Sequence, residues 1–305
     1  MYKYFRMNYS GYFSDTFAQK EKKELASVKG LISVKSPDDA EVIITSSDTV
    51  TEKIPTQAKL IIHPNSGYDR FNLEWLKNRD IPVIVGSPIR QIAVAEYYLS
   101  ALFQHFSSIP TKTTWDEKRS WRRKLLKDQR VLIFGQGHIG TYLEEILKKI
   151  SKSVLVIDPF KNLHKKQIDY KNFDVVISAF GLNKSTENFF NKDFFSHCSD
   201  DVLLLHASRG KQVDISSLTT FLKENKSSAA YIDVFPEEPF DLNSIKLPNL
   251  HCSCHVAGVY DNIEQNLIEF EKQVLLDYIS LNKEEFLQKY KNQNLNERKD
   301  HPFLI

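Results

Sequence analysis

Three side chains in the second half of the sequence have the types that proton transfer on a small acid requires: Arg209 in HASRG, Glu238 in IDVFPEEP and His255 in HCSCHVAG. An arginine offers a planar fork of donors to a carboxylate, and a histidine exchanges protons near neutral pH. A carboxylate bonded to the other ring nitrogen can orient that histidine. Taken singly, each residue is more often a surface or capping group. Together they predict an acid–base site for a substrate that carries a carboxylate.

A glycine-rich turn comes before these three residues. VLIFGQGHIG places Gly135, Gly137 and Gly140 in GxGxxG spacing, between an apolar run and the helical segment TYLEEILKKI. In that context the first glycine permits a tight turn, the second lets a pyrophosphate approach the backbone, and the third lets helix and strand pack closely. The helix N-terminus adds N–H groups and the positive end of its dipole. The turn therefore predicts a dinucleotide site.

Asp158 ends the next apolar run, SVLVID. At that distance an acidic side chain can accept hydrogen bonds from the adenosine ribose hydroxyls and would repel a 2′-phosphate, so NAD is predicted in preference to NADP. The alternative is that Asp158 and Pro159 only end a strand. A dinucleotide close to an Arg–Glu–His set favours hydride transfer between nicotinamide and a small 2-hydroxy or 2-keto acid.

The apolar runs that carry these residues alternate with segments of helical period, which predicts an α/β fold. Six runs from Arg130 onward predict a doubly wound parallel sheet, and the runs in DAEVIITS, AKLIIHP and IPVIVG predict a smaller α/β unit. The segment Ile92–Phe106 is apolar almost all round, which predicts a helix buried on both faces, between domains or in a dimer interface. Asp261–Asn282 is predicted to form an amphipathic helix, followed by a polar tail.

Length and composition favour a globular protein of two domains with a cleft between them. The chain has 305 residues, of which 41% are hydrophobic. Its 41 Lys and Arg against 39 Asp and Glu leave a net charge of +2, which argues against nucleic acid or a membrane surface as a partner. The odd count of three cysteines predicts free thiols, and the N-terminal residues contain no long apolar stretch. Both features predict a cytoplasmic protein.

From about Ile61 to about Val259 the chain resembles the D-isomer-specific 2-hydroxyacid dehydrogenases. The motifs that carry the resemblance follow the family's order: PNSGYDRFNLEWLKNRDIPVIV, VAEYYLSAL, VLIFGQGHIG, VIDPF, SRGKQVD, IDVFPEEP and HCSCHVAG. The resemblance implies a Rossmann dinucleotide-binding domain at residues 89–259 and a smaller, flavodoxin-like substrate domain at residues 1–88 and 260–305. It also implies NAD as cofactor and a homodimer formed with the help of the helix Ile92–Phe106.

The resemblance assigns roles to individual residues. Arg209, Glu238 and His255 are implied to be catalytic, and the loop Asn65, Ser66 and Gly67 is implied to bind the substrate carboxylate through its backbone. Cofactor contacts are implied for the glycines of the turn and for His138, Ile139, Asp158, Ala207 and Asp233. The family usually has Arg at the position of His138, Asn at that of His206, and Thr-Pro at Ser253–Cys254.

Three alternatives accompany these predictions. One alternative is a metal site, because histidine and cysteine are common metal ligands and the sequence has His251, Cys252, Cys254 and His255 close together. Successive side chains of a strand point to opposite faces, so no metal is predicted. Arg70 and Arg90 are interpreted as surface cations, with a second anion site as the alternative. Because a fold does not dictate an activity, the alternative function is an NAD(H)-binding regulator without dehydrogenase turnover.

Overall fold

The computed structural model describes residues 1–9, 14–69, 71–111, 114–115, 117–118, 121, 123–158 and 168–298. The described part of the chain divides into two compact units, Met1–Arg90 with residues 259–298, and Gln91–Gly258. Each unit contains one sheet, and all paired strands in both sheets are parallel. The predicted α/β class is therefore confirmed.

The elements are numbered in chain order. The strands are Tyr2–Arg6 (β1), Leu31–Ser33 (β2), Val42–Ile44 (β3), Leu60–His63 (β4), Val83–Val85 (β5), Arg130–Phe134 (β6), Ser153–Ile157 (β7), Val175–Ser178 (β8), Leu203–His206 (β9), Ala229–Ile232 (β10) and Leu250–Cys252 (β11). The helices are Asp15–Ala26 (α1), Leu73–Lys77 (α2), Gln91–Ser107 (α3), His138–Ile150 (α4), Lys192–Ser196 (α5), Ile215–Glu224 (α6), Ile263–Ser280 (α7) and Lys283–Lys289 (α8). Among the described residues, no helix is both long and apolar enough to cross a bilayer.

The sheet of the first unit has the order β2-β1-β3-β4-β5, which is the flavodoxin-like order. One face packs against α1, α7 and α8 through side chains that include Leu25, Val274 and Phe286. The other face packs against Phe71 and Leu76. The central strands β3 and β4 are buried along their whole length, as expected for a parallel sheet covered on both faces.

Four elements of the first unit were not predicted: β1, β2, α1 and α8. Only Tyr4 of β1 is buried, and charged side chains interrupt the apolar pattern of that strand. Helix α8, in the segment interpreted as a polar tail, buries only Phe286. Because each of these elements buries only one or two apolar side chains, the hydrophobic period that identifies a helix or strand is weak in them.

The sheet of the second unit has the order β11-β10-β9-β8-β6-β7. The strand order reverses between β6 and β8, which is the point where open α/β sheets form a ligand crevice at the carboxyl ends of their strands. Helices α3 and α4 pack on one face of this sheet, where Val131 and Ile133 are fully buried. Within the described residues, helix α3 buries one of its faces. Ile92 and Phe103, elsewhere on the same helix, are exposed.

Candidate active site

The glycine turn lies at the carboxyl end of β6. Gly135 has a φ of +99°, a left-handed conformation that favours glycine, and a β-carbon there would lie 2.5 Å from the carbonyl oxygen of Ala179. A β-carbon at Gly140 would lie 1.9 Å from the carbonyl oxygen of Gly135. Gly137 is the N-cap of α4. The backbone therefore requires glycine at the first and third positions of the motif.

The surroundings of this turn fit a dinucleotide. Asp158 follows β7, is 8% exposed, and its Oδ2 accepts a hydrogen bond of 2.8 Å from the backbone N of Gln136. The carboxylate thus lies beside the turn, and its contact with the ribose hydroxyls stays a prediction. His138 and Ile139 are half-buried in the first turn of α4, whose N–H groups lack partners within the helix. These residues would hold the adenosine ribose and the pyrophosphate of NAD(H).

The predicted catalytic pair is formed in the second unit. His255 Nδ1 donates a hydrogen bond of 2.8 Å to Glu238 Oε2, and Glu238 Oε1 accepts one of 3.0 Å from the backbone N of Phe235. Because Nδ1 is bonded to the carboxylate, Nε2 is the ring nitrogen that can exchange a proton with a substrate. The side chain of His255 is 57% exposed, so a ligand can reach it.

Arg209 lies in the turn after β9, directly against the loop that carries Glu238. A β-carbon at Gly210 would lie 1.9 Å from the carbonyl carbon and oxygen of Phe235, so only glycine permits this approach. The guanidinium of Arg209 donates to the carbonyl of Ser208 at 2.8 Å. The structure therefore brings the turn of Arg209 and the loop of Glu238 together, whereas the catalytic roles of these residues stay predictions.

Two buried side chains brace the turn of Arg209. Gln212 Nε2 donates to the carbonyl oxygens of Phe180 and Gly181 at 3.1 and 2.8 Å, and its Oε1 accepts from the backbone N of Arg209 at 3.2 Å. His206 Nε2 donates to the carbonyl of Arg209 at 3.0 Å. Burial lowers the pKa of His206 to about 4, so this histidine is neutral at pH 7.

The remaining predicted cofactor contacts have partners within the chain. The N–H of Ala207 donates to the hydroxyl of Tyr98 at 2.9 Å. Asp233 follows β10, is fully buried, and accepts hydrogen bonds from the residues around His255. Contact of Ala207 and Asp233 with a cofactor stays a prediction.

The predicted substrate loop lies in the first unit, after β4. Asn65 is 4% exposed, and within the described residues its side-chain amide and the hydroxyl of Ser66 have no hydrogen-bond partner. The carbonyl of Gly67 accepts a hydrogen bond of 2.9 Å from His63 Nε2, which ties the loop to the strand. Arg90 is half-buried at the end of a 3-10 helix, and Arg70 lies outside the described residues.

The sequence interpretation placed His251, Cys252, Cys254 and His255 on one strand, but β11 ends at Cys252. The last two of these residues lie in the following loop, and His251 stacks on Tyr231 with ring centroids 4.3 Å apart. Across the described part of the chain, no three His, Cys, Asp or Glu side chains form a group that could hold a metal ion.

Sequence reasoning did not identify Gln212, Tyr97 or Ser253 as parts of the site. Gln212 lies three residues after Arg209, but a surface glutamine would look the same in the sequence. Tyr97 is hidden in the apolar pattern of α3, and its hydroxyl lies 2.8 Å from Ser253 Oγ, 156 residues away along the chain. No local signal predicts such a contact.

Comparison with known proteins identifies relatives of the same architecture. Residues 99–257, more than half of the chain, match the family model of the D-isomer specific 2-hydroxyacid dehydrogenase, NAD binding domain. The D-3-phosphoglycerate dehydrogenase of Archaeoglobus fulgidus is 26% identical over 239 residues, which are 72% of this chain and 45% of that protein. The erythronate-4-phosphate dehydrogenase of Wigglesworthia glossinidia brevipalpis is 29% identical over 210 residues, 65% of this chain and 52% of that protein.

The match thus spans about half the length of these curated relatives. Among solved structures, the D-lactate dehydrogenase from Aquifex aeolicus, complexed with NAD and lactic acid, superposes with a TM-score of 0.72 at 18% identity. The superposition covers 96% of this chain and 99% of that one. At this identity the likeness supports the fold alone, and it agrees with the two parallel sheets described above.

Proposed function

Because the chain belongs to the D-isomer specific 2-hydroxyacid dehydrogenase family, we propose that it is an NAD-dependent oxidoreductase that interconverts a small D-2-hydroxy acid and its 2-keto acid. Residues 99–257 are the NAD-binding domain of that family. The observation that carries the proposal is the hydrogen bond of 2.8 Å between His255 and Glu238, since the loop that carries Glu238 also contacts the turn of Arg209.

The side chains divide the chemistry among them. The guanidinium of Arg209 binds the carboxylate and the carbonyl oxygen of the 2-keto acid through its paired donors. His255 Nε2 donates a proton to that oxygen as it becomes a hydroxyl, and accepts the proton back in the oxidation direction. Glu238 holds Nδ1 and so fixes which ring nitrogen meets the substrate. The chemistry that NAD(H) would supply when bound is the transfer of a hydride, a proton with two electrons, to or from the carbon that bears this oxygen.

The finer parts of the proposal rest on single residues. Asp158 supports NAD over NADP, because its carboxylate lies beside the glycine turn and would repel a 2′-phosphate. The unpartnered amide of Asn65 supports a polar ligand at the loop Asn65–Gly67, where the substrate carboxylate is predicted to bind. A homodimer and a cytoplasmic location, both predicted from the sequence, stay predictions.

The test is turnover of reduced nicotinamide. We would follow the absorbance of NADH, and separately of NADPH, with glyoxylate, hydroxypyruvate, pyruvate, phenylpyruvate, 2-ketoisocaproate and 3-phosphohydroxypyruvate. His255→Ala and Arg209→Lys are the test variants. His197→Ala is the matched control, because the side chain of His197 is exposed at the end of α5 and its Nδ1 lies 2.8 Å from the carbonyl oxygen of Asp193 in the same helix.

Turnover of one keto acid with NADH that is lost in His255→Ala and kept in His197→Ala is the expected result. Arg209→Lys should retain the charge but lower kcat/KM by roughly a hundred-fold, because an ammonium cannot make the paired contact. Tight NADH binding without turnover of any acid would instead favour the NAD(H)-binding regulator. Absence of NADH binding would contradict the assignment of the glycine turn.

A further inference from the structure

The loop that carries His255 begins at the edge of the sheet of the second unit. The edge strand β11 has three residues and pairs only with β10, so the sheet itself gives the loop little support. His255 has a φ of +57°, a left-handed conformation that is unfavourable for a residue with a β-carbon. Such a conformation persists only when the surroundings impose it. Contacts outside the loop must therefore hold it in place.

Asp233 supplies those contacts. Its Oδ1 accepts hydrogen bonds from Ser253 Oγ at 2.6 Å and from the backbone N of Val256 at 2.8 Å. Its Oδ2 accepts from the backbone N of Ala257 at 2.8 Å, and its carbonyl accepts from the backbone N of His255 at 2.7 Å. These four bonds bracket His255 on both sides. Because Asp233 is fully buried, water does not compete for them.

Tyr97 extends this arrangement to helix α3. A serine hydroxyl has one proton, and that of Ser253 is donated to Asp233, so the hydroxyl of Tyr97 must be the donor in its 2.8 Å contact with Ser253 Oγ. Burial raises the pKa of Tyr97 to about 12, so its hydroxyl keeps its proton at neutral pH. The donors therefore all point one way, from Tyr97 through Ser253 to the carboxylate.

We infer that Tyr97, Ser253 and Asp233 form a positioning unit that holds the loop at residues 253–257 in the conformation that presents His255. The inference rests on the proposed function, because His255 performs the proton transfer there. These residues act through His255, so weakening the unit should lower kcat and leave the affinity for NADH unchanged. Tyr97 and Ser253 isolate this role better than Asp233, for which cofactor contact is also predicted.

The test combines kinetics with backbone hydrogen exchange of the full chain. Ser253→Ala removes both hydroxyl contacts, Ser253→Thr restores a hydroxyl, and Tyr97→Phe removes only the contact from α3. Ser100→Ala is the matched control, because Ser100 is exposed one turn further along α3 and lines the same groove of about 490 Å³ as Tyr97 and Ser253. The readouts are exchange of the peptide that covers residues 253–258, kcat, and the Kd for NADH.

In Ser253→Ala we expect exchange in that peptide to rise by about ten-fold or more and kcat to fall by about ten-fold, since a hydrogen bond to a buried carboxylate is lost. The Kd for NADH should stay within about two-fold of the wild type, since the change acts through His255. Tyr97→Phe should give a smaller change in the same direction, Ser253→Thr should recover most of kcat, and Ser100→Ala should match the wild type.

Unchanged exchange in Ser253→Ala would overturn the inference. So would a loss of NADH affinity equal to the loss of kcat, because Ser253 would then act on the cofactor rather than on His255. If the wild type turned over no 2-keto acid, the proposed function would fail, and the exchange of residues 253–258 would alone decide whether the unit holds the loop.

Discussion

His255 and Glu238 are joined by a hydrogen bond of 2.8 Å although both side chains are open to solvent, with exposed fractions of 57% and 36%. A hydrogen bond between two side chains this exposed contributes little to folding stability. Glu238 is nevertheless held from its other side by the backbone N of Phe235. The pair is thus arranged to orient a ring that a substrate can reach, and its removal should affect catalysis far more than stability.

Glu238→Gln should lower kcat by roughly ten- to a hundred-fold, because an amide accepts more weakly from Nδ1 and no longer stabilises the protonated ring. The melting temperature should stay close to that of the wild type. Steady-state kinetics and thermal unfolding measure the two effects. Glu237→Gln is the control, since Glu237 is the adjacent residue and its side chain is exposed. Equal kcat in Glu238→Gln and Glu237→Gln would remove Glu238 from the mechanism.

Gly140→Ala should destabilise the fold by about 2 kcal/mol or more and abolish NADH binding, because the added carbon would lie 1.9 Å from the carbonyl oxygen of Gly135 and push α4 away from the turn. Gly30→Ala is the control: Gly30 has a φ of +88° but open space around it, so only backbone strain of about 1 kcal/mol is expected. For both variants, urea unfolding measures the folding stability and fluorescence titration measures the affinity for NADH. Normal NADH affinity in Gly140→Ala would contradict the assignment.

Asp158→Asn should raise kcat/KM with NADPH relative to NADH by roughly ten-fold, because it removes the negative charge that faces a 2′-phosphate. The amide oxygen can still accept from the backbone N of Gln136, so the turn should remain in place. Glu145→Gln on the exposed face of α4 removes the same charge elsewhere and should leave the ratio unchanged. A ratio that moves equally in both variants would show a general charge effect instead.

Acid should destabilise the protein between about pH 6.5 and 4. Burial lowers the pKa of both His63 and His206 from 6.5 to about 4, so below pH 6.5 the unfolded chain binds protons that the folded chain does not. The lost stability amounts to about 2 kcal/mol for each histidine between pH 7 and 5.

In His206→Asn the loss of folding stability between pH 7 and pH 5 should be smaller by about 2 kcal/mol. An amide does not titrate in this range and can still donate toward the carbonyl of Arg209. Urea unfolding at pH 7 and pH 5 measures the difference. His197→Asn, at an exposed position, serves as the control. If His206→Asn lost as much stability as the wild type between the two pH values, His206 would not be the neutral buried group described here.

Most of the fold could be predicted from the sequence, because it depends on local patterns, and the same patterns mark the candidate reacting groups. Buried parallel strands such as β4, β8 and β9 are continuous apolar runs, and each is followed by the turn or loop that it positions. The spacing of Gly135 and Gly140 is set by the geometry of one turn and the helix after it. The elements β1, β2, α1 and α8 escaped prediction because they bury too few residues to show a period.

The sequence by itself determined which residues could do chemistry: Arg209, Glu238 and His255 were identified by type and by their position after apolar runs. The tertiary structure decided how they are held. The contact of Gly210 with Phe235, the bonds of Gln212, and the line from Tyr97 through Ser253 to Asp233 join residues from different strands and helices. A hydrogen bond between residues 156 positions apart leaves no trace in local spacing, because only the packing of α3 against the sheet brings its two ends together.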